Sequence, residues 1–82
     1  METISIIVKA KDKSNNPMPF KVCIENLDSV EVKNNMLFLY FKSRENLIEI
    51  TPYMTNFNGL VTNNDNLYMK IPMISLYSFK VR

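Results

Sequence analysis

The sequence predicts a small all-β domain, for three reasons. Short runs in which apolar and polar residues alternate with a period of two recur along the chain, as in strands that bury one face. Turn segments rich in Pro and Asn separate these runs. No segment has a convincing helical period, and a chain of 82 residues has the length of a single domain, residues 1–82.

The first two strands are predicted from their alternation. Thr3–Lys11 carries mostly β-branched residues on one face and polar residues on the other. The segment 12–19 is a turn, because Asn15-Asn16-Pro17 favours one and each proline pushes its predecessor to extended geometry. Phe20–Glu25 then alternates as a second strand, which places Cys23 on the more exposed face.

Val30–Phe41 is predicted to be a tight hairpin. Asn34-Asn35 lies between two extended runs, and Asn tolerates the positive φ that a two-residue turn requires. The turn fixes the register, and paired residues share a face of the sheet. The predicted pairs are Lys33 with Met36, Val32 with Leu37, Glu31 with Phe38 and Val30 with Leu39.

The second half of the chain is predicted to hold shorter elements. In chain order these are a short strand around Ile48 and Ile50 stopped by Pro52, a turn at Asn56–Gly59 with the only Gly, strands at Leu60–Thr62 and Leu67–Ile71 around the loop 63–66, and a last strand at Ser75–Val81. Glu45–Ile50 comes nearest to a helical period, but it is too short to stand as a helix.

Both ends of the chain resemble a known family. Val8–Asp12, the polar turn Ser14–Pro19 and Val22–Ile24 resemble the opening of bacterial Ig-like domains of the invasin and intimin type, and of carboxypeptidase-regulatory-like sandwiches. Thr55–Gly59 resembles their later Thr-Asp-x-x-Gly turn, with Asn at position 56, and Tyr77-Phe79-Val81 resembles the closing strand. The resemblance implies an Ig-like β-sandwich used for display, spacing or adhesion, without catalytic residues. The strand and turn pattern alone also fits a small five- to six-stranded β-barrel.

The chain offers few groups for catalysis or metal binding. It has no His, and its single Cys23 excludes an internal disulfide, leaves too few ligands for the usual zinc site and lacks an activating base. The carboxylates of Glu25, Glu31, Glu45 and Glu49 lie among polar neighbours and are interpreted as a solvated strand face. We therefore predict that the protein is not an enzyme and uses no cofactor or metal.

The sequence also bears on three other classes of partner: calcium, a membrane and nucleic acid. The loop 63–66 carries oxygen ligands of the kind calcium prefers, but only one charge, and is interpreted as an Asx-rich turn. The longest apolar run, Met36–Phe41, is too short to span a bilayer. Nucleic acid is the main alternative, since four Tyr and five Phe could stack bases beside an early basic cluster. The cluster is formed by Lys9, Lys11, Lys13 and Lys21.

The hairpin register points to a candidate surface for a protein partner. One face of the hairpin is uniformly apolar and is the predicted core face, whereas the other carries Met36, Phe38 and Tyr40 in a row on one strand. A solvated face does not need three large apolar side chains, so this stripe is predicted to meet a partner or a second copy of the chain. Glu31 and Lys33 form its charged rim. Burial on both sides of a central strand is the alternative explanation.

The function expected from the sequence is a non-enzymatic binding module that acts by protein–protein contact. A display or spacer domain and a phage or mobile-element mini-protein that occupies a host surface both fit this expectation. A small β-barrel that binds single-stranded nucleic acid or a nucleotide is the alternative. Met1-Glu2-Thr3 lacks the basic residues of a signal peptide, so a cytoplasmic protein or part of a virion or assembly is expected.

Overall fold

The computed structural model describes residues 2–54 and 57–82, and the all-β prediction is confirmed. Six strands dominate the chain, with one short α-helix and two 3-10 turns. Their bounds are β1 Glu2–Val8, β2 Phe20–Lys33, β3 Met36–Phe41, α1 Arg44–Ile50, a 3-10 turn Thr51–Met54, β4 Val61–Asn63, β5 Tyr68–Pro72, a 3-10 turn Met73–Ser75 and β6 Leu76–Val81.

All six strands belong to one antiparallel sheet with the order β4-β5-β3-β2-β1-β6. The two strands predicted around residues 20–25 and 30–33 are parts of one strand, β2, which is 14 residues long. Its first half pairs with β1 up to Leu27, and its second half pairs with β3 from Leu27 onward. The pairing with β1 shifts register between Ile24 and Leu27, where Asn26 has φ 59°, and the pairing with β3 shifts between Leu27 and Ser29. Bulges bend a strand. The two halves of the sheet therefore share one bent strand, β2.

The core lies against one face of this sheet. Alternate residues of the strands are buried there, as the period-two pattern predicted. Leu47 of α1, Met54 of the first 3-10 turn and Phe57 cover this inner face and are themselves buried. The buried strand residues are Ile4, Ile6, Val8, Val22, Ile24, Leu27, Leu37, Leu39, Phe41, Met69, Ile71 and Leu76. The helix and the segment after it therefore cover the inner face of the sheet and complete the core.

The predicted hairpin register is confirmed pair by pair. Lys33 pairs with Met36, Val32 with Leu37, Glu31 with Phe38 and Val30 with Leu39. Asn34 and Asn35 form the two-residue turn, with φ of 52° and 60°. The inner face of β3 is buried at Leu37, Leu39 and Phe41, which the pattern had assigned to the core. Val32, assigned to the same core face, is instead 50% exposed, because it lies at the end of β2 beside the hairpin turn.

The strand predicted around Ile48 and Ile50 is wrong, because Arg44–Ile50 is the helix α1. The Ser43 side chain caps the helix, since its Oγ accepts a hydrogen bond from the Asn46 N–H at 3.1 Å. Leu47 anchors α1 on the core. Packing of this side chain stabilises a helix that would be too short to form alone.

The turns follow the local chemistry that the sequence indicated. The Asp12 carboxylate accepts hydrogen bonds from the Ser14 and Asn16 N–H groups in the turn 12–19. Asn63 does the same for Asp65 and Asn66 in the loop between β4 and β5. The predicted turn Asn56–Gly59 lies partly outside the described residues, because Asn56 is not among them.

Candidate binding surface

The outer face of the β3–β5 half of the sheet carries the residues predicted to bind a partner. Because paired residues share a face, the register places Glu31 beside Phe38, and Phe38 beside Lys70. Tyr40 likewise lies beside Tyr68. We call this surface the aromatic face; its members are Glu31 and Lys33 of β2, Met36, Phe38 and Tyr40 of β3, and Tyr68 and Lys70 of β5. The five predicted residues are thus brought together on one surface.

Three aromatic rings form the centre of the aromatic face. The Phe38 and Tyr40 rings are stacked, with centroids 6.1 Å apart and an interplanar angle of 13°. The Tyr68 ring is tilted against both, with its centroid 5.7 Å from that of Phe38 and 6.0 Å from that of Tyr40. All three distances fall in the range in which aromatic pairs attract each other. The rings therefore hold one another in place and form a continuous surface without a gap between them.

Charged groups border these rings. The Lys33 Nζ lies 5.2 Å from the centroid of the Phe38 ring, within cation–π distance. The same ammonium group lies 3.9 Å from Glu31 Oε1, and the Tyr40 hydroxyl donates a hydrogen bond to Glu31 Oε2 at 3.4 Å. An exposed ion pair of this kind contributes about 0–1 kcal/mol, so its main effect is to orient the side chains.

The apolar side chains of the aromatic face are half-buried. They therefore fit neither a fully exposed stripe nor a strand that is buried on both sides. β3 is a central strand, between β2 and β5, as one alternative required. Its outer side chains Met36, Phe38 and Tyr40 are nevertheless only partly buried, unlike the inner ones. Lys33 and the neighbouring rings cover part of their surface, and the remainder meets solvent. The partner-binding role of these residues stays a prediction.

Sequence reasoning missed two members of the aromatic face, Tyr68 and Lys70. Their alternation with buried Met69 and Ile71 shows that they share a face of β5. The alternation does not show that β5 pairs with β3, because the two strands are separated by a helix and a loop. Only the order of the strands in the sheet shows that Tyr68 lies beside Tyr40.

The basic cluster proposed for nucleic acid lies elsewhere in the fold. Lys9 and Lys11 follow β1 and, with Met18 and Phe20, line a surface cavity of about 440 Å³. The Lys9 Nζ lies 5.5 Å from the centroid of the Tyr77 ring. Lys21 is paired with Ile7, on the half of the sheet formed by β1, β2 and β6. Lys21 is on β2, and Lys9 and Lys11 follow β1, so none of these three lysines lies on a strand that contributes a ring to the aromatic face.

The structure separates most of the carboxylates considered for catalysis. Glu31 belongs to the aromatic face, and Glu45 lies in the first turn of α1 rather than on the strand face predicted for it. Glu49 is also on α1, where it lines a cleft together with Glu25 and Cys23 of β2. Within residues 2–54 and 57–82, no group of three or more His, Cys, Asp or Glu side chains could hold a metal ion.

No protein-family model, curated protein or solved structure matches this chain. In the part of the chain that the structure describes, no helix has the length and apolar character needed to cross a membrane.

Proposed function

We propose that the protein is a non-enzymatic binding module whose aromatic face contacts another protein. One observation carries the proposal: Phe38, Tyr40 and Tyr68 contact one another on the solvent side of a sheet whose opposite side already forms the core. Aromatic residues with a charged rim are typical of the centre of protein interfaces, where they dominate the binding energy.

The arrangement of the rings favours binding at low entropic cost. Each ring is packed against the other two, and Lys33 lies over Phe38. Side chains that are already ordered lose little conformational freedom when a partner covers them. Such a module fits a mini-protein that acts by occupying the surface of a host protein, or a display domain within an assembly.

Site-specific photocrosslinking tests this proposal directly. Benzoylphenylalanine replaces Tyr40 or Tyr68 in one set of variants and Tyr77 in the control, which is 53% exposed and lies on β6. In the producing cells, we expect light to attach a protease-sensitive partner at positions 40 and 68 and none at position 77. The same adducts at all three positions, or none at 40 and 68, would contradict the proposal.

A matched pair of variants checks the surface without a crosslinker. Phe38→Ser with Tyr40→Ser removes two of the three rings, and we expect the purified protein to stay folded but lose its partner. Ile74→Ser removes an apolar side chain that is 80% exposed in a 3-10 turn, and it should keep the partner. Unfolding of the double variant, seen by circular dichroism, would assign the rings to the core instead.

Single-stranded nucleic acid is the second candidate partner, because Lys33 and Lys70 border the rings. Exposed aromatic side chains stack on bases, and lysines contact the phosphates. Titration with a 15-nucleotide oligothymidine separates the two candidates. If the oligonucleotide binds, base stacking should quench tyrosine fluorescence, and the affinity should fall steeply between 50 and 200 mM salt. A surface for protein contact should leave the fluorescence unchanged.

A further inference from the structure

The first half of β2 has an open edge. Phe20–Glu25 pairs with β1 on one side, whereas pairing with β3 on the other side begins only at Leu27. An open edge exposes backbone N–H and C=O groups that can pair with another strand. Among the residues that the structure describes, no backbone hydrogen bond from a loop or turn reaches Lys21, Cys23 or Glu25.

The hydrogen-bond pattern shows which backbone groups face outward. Thr3 and Arg82 exchange both of their backbone hydrogen bonds, so the bonding groups of alternate residues Thr3, Ser5 and Ile7 point toward β6. The groups of Ile4, Ile6 and Val8 then point toward β2, where they meet those of Ile24, Val22 and Phe20. Along β2, the outward-facing backbone groups are therefore those of Lys21, Cys23 and Glu25.

A groove runs beside this edge. Two adjoining cavities of about 330 Å³ each lie between the first half of β2 and the segment formed by α1 and its 3-10 turn. Both are lined by Cys23, Ile50 and Tyr53, and the Tyr53 side chain is 68% exposed. The side chains of Lys21, Cys23 and Glu25 are exposed along this edge, and apolar groups border the groove beside it.

We propose that two copies of this chain pair through these β2 edges about a two-fold axis at Cys23. In an antiparallel pair centred there, Cys23 faces the partner's Cys23, and Lys21 faces the partner's Glu25. The outward backbone groups of Lys21, Cys23 and Glu25 then exchange hydrogen bonds with those of the second copy. Symmetry repeats the Lys–Glu pair on the other side of the axis. The result is one continuous sheet across both copies.

Charge complementarity identifies the occupant as a second copy. An axis at Lys21 would place two lysines opposite each other, and an axis at Glu25 would do the same with two glutamates. Only the axis at Cys23 makes both charged pairs attractive while keeping the outward backbone groups in phase. Opposite charges directly across two strands stabilise the pair, and like charges destabilise it. Among the registers that the outward backbone groups permit, this one makes the edge self-complementary in charge.

A charge swap tests the register in the full chain. Lys21→Glu alone, or Glu25→Lys alone, makes both symmetry-related pairs repulsive and should raise the dissociation constant of the dimer about tenfold. Combining the two substitutions restores opposite charges and should restore the wild-type constant. Sedimentation velocity at several protein concentrations measures all four proteins. A double variant no tighter than the single ones would overturn the register.

The backbone bonds and the axis have their own test. Cys23→Pro removes an outward N–H but none of the bonds to β1, and it should yield a folded monomer, whereas Cys23→Ser should remain a dimer. A short bismaleimide should crosslink two wild-type copies through Cys23. Ser78→Cys in a Cys23→Ser background is the control, and it should not crosslink, because Ser78 is on β6.

These outcomes are separable from those of the proposed function. Phe38→Ser with Tyr40→Ser changes the aromatic face and should leave the sedimentation of the dimer unchanged. A dimer lost in that variant would place the self-contact on the aromatic face and overturn the proposal about β2. A wild-type chain that sediments as a monomer at about 200 μM, with no crosslink at Cys23, would overturn it as well.

Discussion

Asparagine residues with a positive φ determine several turns of this chain. Asn34 and Asn35 have φ of 52° and 60° and complete the hairpin, and Asn15 has φ of 66° in the turn before β2. Asn accepts this conformation more readily than other residues with a side chain, and Gly accepts it more readily still. The hairpin turn can therefore be strengthened or weakened by a single substitution.

Asn35→Gly should stabilise the protein by about 0.5 kcal/mol, because Asn-Gly is the preferred sequence for a two-residue hairpin turn. The backbone bond from the Met73 N–H to the Asn35 carbonyl remains available in this variant. Asn34→Ala is the opposite case and should cost about 1 kcal/mol, since Ala is strained at positive φ. Urea denaturation measures both, and changes of the same sign would contradict this account of the turn.

Gly59 is another residue whose backbone conformation limits substitution. Its φ is 78°, and a Cβ at this position would lie 2.7 Å from the Cγ of Pro72. Gly59→Ala should therefore cost about 2 kcal/mol and lower the melting temperature by roughly 10 °C. Asn58→Ala, at the exposed neighbouring position, should change it by less than about 3 °C. Equal melting temperatures for the two variants would show that the loop yields to the added methyl group.

Residues with a positive φ can be predicted from the sequence where their immediate neighbours indicate a turn. Asn34 and Asn35 stand between two extended runs, and Asn15 begins the segment Asn15-Asn16-Pro17, so the turns could be predicted. Asn26 also has a positive φ, but it lies at an irregularity in the pairing of β2 with β1, inside a continuous strand. The pairing of β2 with β1 before Asn26 and with β3 after it shows that the strand continues through this residue. The sequence therefore predicted two strands where the fold has one.

At the scale of elements, the helix α1 was misinterpreted. Ile48 and Ile50 are two residues apart, which is the spacing of a strand face. Within the helix, the buried residue is Leu47, whereas Ile48 is 54% exposed. Seven residues carry too little periodicity to indicate a helix, and contact between Leu47 and the core of the sheet decides the conformation. The Ser43 cap was the local signal that could have indicated it.

The two neighbouring apolar positions of α1 provide a matched test of this conclusion. Leu47→Ala removes a fully buried side chain and should cost about 3 kcal/mol, with an expected range of 2–5 kcal/mol. Ile48→Ala removes an exposed side chain and should change stability by less than about 0.5 kcal/mol. A strand in this segment would bury Ile48 with Ile50 and reverse the order. Thermal unfolding of both variants distinguishes the two conformations.

The aromatic face shows how far element-scale prediction reaches. The hairpin fixed the relative positions of Glu31, Lys33, Met36, Phe38 and Tyr40, because two strands joined by a short turn have a defined register. Tyr68 and Lys70 could not be added in this way, since a strand pairing across a long connection depends on the whole sheet. Five of the seven members were therefore visible from local sequence, and two only from the fold.

At the scale of the whole molecule, β2 is the strand that both halves of the sheet share. Leu27 pairs with Glu2 of β1 and with Phe41 of β3, and its side chain is fully buried. The three rings of the aromatic face all lie in the β3–β5 half, whereas Tyr77 lies on β6 in the other half. If the halves are joined as the pairing indicates, neither should unfold without the other.

Leu27→Ala should lower the stability of both halves together. A fully buried leucine removed from the core costs about 2–5 kcal/mol, a large part of the total stability of a domain this small. In urea, far-UV circular dichroism reports on all strands. In a background with Tyr53→Phe and Tyr77→Phe, tyrosine fluorescence reports on Tyr40 and Tyr68 of the aromatic face. Both probes should give one transition with the same, lower midpoint. Val32→Ala, at a position of the same strand that is 50% exposed, should leave the midpoint nearly unchanged. Two separate midpoints in Leu27→Ala would mean that the β1–β6 half and the β3–β5 half fold independently, and that β2 connects them without coupling them.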